Sequence, residues 1–89
     1  MPYIKQEQRE VIRPGLDEAS KSINTEGDLN YAFTVLAHRY LEKHGLCYRT
    51  LNDIGGAFNY ADKEFNRRVV GPYEDLKIKS NGDIMPNLE

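Results

Sequence analysis

Tryptophan is absent from the 89 residues, cysteine occurs once, and no apolar run approaches the length of a membrane span or of a secretory leader. Each absence excludes something. The one cysteine, Cys47, cannot form an internal disulfide, so no covalent staple is available and the chain reads as cytoplasmic. A basic excess is missing too: the net charge is −2, which argues against a general nucleic-acid binder, because such a protein needs a basic surface to displace counterions. The two histidines, His38 and His44, stand six residues apart, and no metal site is expected from them. Glu26-Gly27-Asp28 and Ile54-Gly55-Gly56-Ala57 do not have the spacing or the preceding strand of a phosphate-binding glycine loop. No catalytic constellation stands out, and the reading is of a protein without enzyme activity or cofactor.

What is present is short and rich in tyrosine, with six Tyr and three Phe. Tyrosine buries a ring while keeping a hydroxyl for a partner, which suits interfaces and ligand pockets as well as small cores. A chain of this length buries only about 60–65% of its unfolded surface, and with neither disulfide nor metal the usual remedy is association. The expectation is a homo-oligomer.

Along the chain, good helix formers predict a short helix from about Lys5 to Val11 or Ile12, interrupted by Pro14-Gly15. A second short segment begins at Leu16, with Ala19 and Ile23 at helical spacing, and ends near Glu26-Gly27. Asp28 then serves as N-cap of a long helix whose apolar stripe is Leu29, Ala32, Phe33, Leu36, Ala37, Tyr40 and Leu41, closed by Gly45. Thr50 with Asp53 resembles a capping box opening the last helix, which carries Ile54, Ala57, Phe58, Ala61, Phe65, Arg68 and Val69 on one side. Gly55-Gly56 weakens that helix by about 1 kcal/mol per glycine and is tolerable where another helix comes close. Gly71-Pro72 ends it, glycine by a left-handed conformation and proline by lacking the N–H. Beyond the break, Asn81-Gly82 signals a tight turn, and residues 72–89 are read as an extended tail. The fold class is all-α: one small domain, helical over about 1–71, with an antiparallel helical hairpin, short N-terminal helices and an extended C-terminal tail.

Candidate binding residues fall in two places. Arg67 and Arg68 end the last helix, with Tyr73 just beyond and Lys77 able to fold back, and the planar fork of arginine suits phosphate or carboxylate. The plainer reading is that the arginines pair with Glu64, Glu74 or Asp75 and with the helix carbonyls. On the first long helix Tyr31, Thr34, His38 and Glu42 lie opposite the apolar stripe. Tyr31 and His38 can stack on a base or hydrogen-bond a ring, although such a stripe is more often a solvated face.

Three stretches carry a resemblance: Met1-Pro2-Tyr3-Ile4-Lys5-Gln6, Glu26-Gly27-Asp28-Leu29-Asn30-Tyr31, and Glu64 to Lys77 with Asn81-Gly82-Asp83. Together they resemble an uncharacterised family of small proteins found in bacteria and tailed phages, over nearly the whole chain. That resemblance brings no catalytic residues; it implies a small protein of the bacterial cytoplasm, encoded by a phage or mobile element. In size and helical content the chain is also similar to phage proteins that sequester cyclic nucleotides of bacterial immune signalling, an analogy of fold class alone. The leading expectation is therefore a homo-oligomer sequestering a small anionic ligand, with a cyclic nucleotide as the most specific candidate. The alternative is a protein-interaction module docking through the C-terminal tail. Pro2-Tyr3-Ile4 is similar to the opening of the tautomerase family, whose N-terminal proline is a general base, but the charged helical run from Lys5 stands where that family has a strand.

Overall fold

A computed structural model describes residues 3–85; Met1 and Pro2, with the N-terminal proline at issue, and the last residues of the expected tail, 86–89, lie outside it. The described chain is all-α: α1 (Gln6–Ser20), α2 (Glu26–His44), α3 (Tyr48–Phe65), a π-helical turn (Asn66–Val70) and α4 (Gly71–Asn81). It divides into two compact units, Met1–Ala57 and Phe58–Glu89.

In the first unit α1 runs through Pro14, against the expected interruption. Proline removes one ladder bond, to the carbonyl of Glu10, yet the helix continues through it with both residues exposed. Ion pairs Arg13–Asp17 at 3.4 Å and Lys21–Glu18 at 3.0 Å lie along it. The cap of α2 is Thr25 and not Asp28: Thr25 Oγ1 accepts from the Asp28 N–H at 3.1 Å, while the Asp28 carboxylate accepts from the N–H groups of Asn24 at 3.0 Å and Thr25 at 3.2 Å. Asp28 is thus the reciprocal partner of a capping box, one turn inside the helix. Gly45 closes α2 at φ 85°, its N–H on the Leu41 carbonyl at 2.8 Å, as its sequence position predicts.

α3 starts at Tyr48, two residues before the expected Thr50 cap. The Leu51 N–H donates to the Cys47 carbonyl at 3.1 Å, so Cys47 takes the capping position, and Thr50 lies in the first turn with its hydroxyl 3.4 Å from the Cys47 thiol. Asp53 turns away from the cap and accepts from the Tyr40 hydroxyl at 3.2 Å, joining α2 to the start of α3. Among the described residues of this unit no two helices pack side by side, and the expected antiparallel hairpin is not confirmed.

The second unit corrects the reading of the tail. Gly71 is right-handed (φ −57°, ψ −54°) and its N–H reaches back five residues to the Asn66 carbonyl. Helix resumes at once as α4, where extended chain was expected. Pro72 lies in the first turn of α4, where a missing N–H costs little. A wide π turn, Asn66–Val70, lies just upstream of it. The Asn66 side-chain amide fastens the entry to that turn, donating to the Asp62 carbonyl at 2.8 Å and carboxylate at 3.1 Å. Glycine at 71 serves close approach: a Cβ there would stand 3.3 Å from the Asn66 carbonyl oxygen. Asn81-Gly82 is not a strand turn either, because Gly82 at φ 86° caps α4 with its N–H on Ile78.

Candidate functional site

The helices position polar and apolar groups very differently. Among the described residues Thr50, 3% exposed, is buried, and no apolar side chain is. Phe33 is 48% exposed, Leu36 55% and Phe65 60%, each on a stripe that helical periodicity marks as a core face. The most prominent chemical feature is therefore uncovered apolar helix surface.

Four of the expected ligand residues, Arg67, Arg68, Tyr73 and Lys77, belong to the second unit, and Tyr31 and His38 to the first. Arg67 donates to both oxygens of Glu64, at 3.0 and 3.3 Å, and the Arg68 Nε lies 3.9 Å from the same carboxylate. Glu64 is the more enclosed member, its side chain 21% exposed. Glu74 and Asp75, the other partners expected for these arginines, lie on α4, Glu74 in its first turn. Tyr73 and Lys77 come together one turn apart on α4, the ammonium 5.4 Å from the ring centre. They line a shallow open groove with Glu74, Ile78, Asn81 and Ile84, a wall of mixed charge.

In the first unit Thr34 donates its hydroxyl to the Asn30 carbonyl at 3.0 Å and Glu42 is paired with Arg39 at 2.9 Å, which leaves Tyr31 and His38 as the polar groups of that stripe without a hydrogen bond among the described residues. Sequence reasoning missed a cluster at the α2–α3 turn. The Tyr40 ring lies 4.2 Å from the His44 ring, and its phenol is pushed up, first by loss of surrounding water and then by the Asp53 carboxylate it bonds. The exposed Cys47 thiol is held below the ordinary cysteine range by the Thr50 hydroxyl first and then by the Thr50 N–H. The signal for that site was a cysteine three residues before a threonine at a helix start, where the sequence offered Thr50 as a competing cap. No three His, Cys, Asp or Glu side chains converge among the described residues, and no helix there is long and apolar enough to cross a membrane.

These features define a small all-helical protein with polar groups held locally and apolar faces open. The chain belongs to the family described as a domain of unknown function, DUF6899, whose profile matches residues 1–84. No curated protein and no solved structure shows significant similarity to it.

Proposed function

We propose that the protein acts by binding and not by catalysis, as a homo-oligomer whose protomers complete one another's core. The supporting observation is the absence of any buried apolar side chain among the described residues, although the helices have clear apolar faces. Covering a half-exposed Leu or Phe of these faces contributes about 1 kcal/mol each before entropy, and self-association recovers that along a whole helix face. The antiparallel helix pairing that the sequence pattern calls for is then made between chains. Light scattering is expected to give a mass at least twice the 10.3 kDa of the chain at micromolar concentration. A monomeric mass together with cooperative unfolding would overturn this reading.

A small anionic ligand is a second reading, favoured by one observation. At 3.9 Å from Glu64 the Arg68 guanidinium is held loosely and remains available to a further anion beside the π turn. A cyclic nucleotide signal, sequestered in the manner of a phage defence-evasion protein, is the most specific candidate, with Arg67, Tyr73 and Lys77 as further contacts in the second unit. Melting in a panel of nucleotides tests it, since a ligand at a hundred times its dissociation constant adds about 2.7 kcal/mol. Arg68→Lys is expected to weaken binding about tenfold, because one ammonium does not reproduce a two-pronged contact. Unchanged affinity would remove Arg68 from the site.

A further inference from the structure

We infer that α2 is a seam of self-association, pairing antiparallel with α2 of a second copy about a two-fold axis between Thr34 and Val35. This rests on the homo-oligomeric reading and specifies where and in what register the contact is made. Leu29, Phe33, Leu36 and Tyr40 succeed one another at spacings of four, three and four, the seam of a paired helix. All four are open, at 44%, 48%, 55% and 38% of full exposure. Ala32 and Ala37 flank them and let a second helix come close. The Tyr40 hydroxyl bond to Asp53 fixes that ring at one end of the face.

Antiparallel pairing about this axis sets Leu29 against Tyr40 of the second copy and Phe33 against Leu36, large against large in matched layers. The same register sets Glu26 at one end against Lys43 at the other. Neither residue belongs to an ion pair found among the described residues of the chain. They stand seventeen residues apart on one helix, about 25 Å at 1.5 Å per residue, so they cannot meet within a single copy. A parallel pairing would stack Glu26 on Glu26 and Lys43 on Lys43, like charge on like at both ends of the seam. Antiparallel pairing also opposes the helix dipoles favourably. Open apolar residues are not confined to α2, since Val11 and Leu16 on α1 and Leu51 and Phe58 on α3 are exposed as well. The α2 seam therefore leaves the apolar faces of α1 and α3 for other contacts, and a dimer through α2 is the smallest unit of a larger assembly.

Charge exchange tests the register. Glu26→Lys and Lys43→Glu, each alone, place like charges at both ends of the seam and are expected to raise the dissociation constant of the α2 contact about tenfold, measured by sedimentation at low salt. The double variant restores both pairs and is expected to return to within about twofold of the parent. Helix-dipole effects alone forecast the opposite, since each reversal opposes the dipole of α2 and the double variant would be the weakest. A double variant no tighter than the singles, or singles that associate like the parent, overturns the seam while the parent's oligomeric mass leaves the assembly reading standing. A monomeric parent overturns both. Spin labels at Glu42→Cys in a Cys47→Ser background give a second readout that does not depend on charge. They are expected about 25 Å apart across the antiparallel seam, from the helix rise and a 10 Å interaxial distance, against about 15 Å for a parallel one.

Discussion

Asp28 shows how one side chain carries two meanings. In sequence it stands at the start of an apolar stripe and reads as a cap; in the structure it closes a reciprocal box with Thr25 from inside the first turn. Its carboxyl is held below the usual carboxylate range, first by the N–H of Asn24 and then by Thr25. A carboxyl with a lowered folded-state pKa adds stability above its unfolded value, near 4, and that contribution is lost as pH falls through the lower folded value. Asp28→Asn is therefore expected to melt lower than the parent at pH 7 and to converge with it as pH drops below about 4. Equal melting at pH 7, monitored by circular dichroism, would show that the box contributes nothing. At the same scale, Arg67 and Arg68 were legible as a cation pair, but their sharing of Glu64 was one of three pairings the sequence allowed. Which carboxylate they took depended on whether the chain continued as helix beyond residue 70.

At the scale of elements, the π turn decides the course of the chain beyond residue 70. Glycine before proline stops a helix in most settings because the next N–H is missing and the ring meets a carbonyl four residues back. Here the chain passes through one wide turn, and α4 begins directly after it, with Glu74 in its first turn and Lys79 in its last. That order, acids first and bases last, is the polarity of a helix dipole, and it was the available sequence signal for a helix in the tail. Asn66→Ala removes the side-chain clamp on Asp62 and is expected to cost about 1 kcal/mol. The Gly71 amide, bonded to the Asn66 carbonyl, should then exchange several times faster while amides in the middle of α2 keep their protection. Unchanged exchange at Gly71 would mean that Pro72 alone holds the turn.

For the whole molecule the issue is the uncovered apolar surface. Isolated helices of this length are marginal in water, and most helical stability in proteins comes from packing an apolar face. Fifteen-residue α1 even carries an interior proline, and no apolar side chain among the described residues is buried to offset that. Folding and association are thus expected to be one event: dilution through the dissociation range should lower helicity together with mass, and the melting temperature should rise with concentration. If helicity persists unchanged in a diluted monomer, the helices do not need a partner.

Local chemistry determined much of this protein from its sequence alone. Helical periodicity, Gly45 as a closing residue and the all-α class all depend on residues within about four positions of one another, and such signals survive without tertiary context. The Gly71-Pro72 and Asn81-Gly82 pairs were ambiguous for a physical reason: a positive φ serves a hairpin turn and a helix cap equally, and a glycine before proline also permits a close backbone approach. Thr50 and Cys47 competed for one cap, and the backbone path through the 45–47 turn chose between them. The link from Tyr40 to Asp53 spans thirteen residues and depends on the direction in which that turn sends α3. Only the tertiary structure could show that the apolar stripes stay open in the single chain, because periodicity marks a face for burial without saying whether the covering surface belongs to the same molecule or to another.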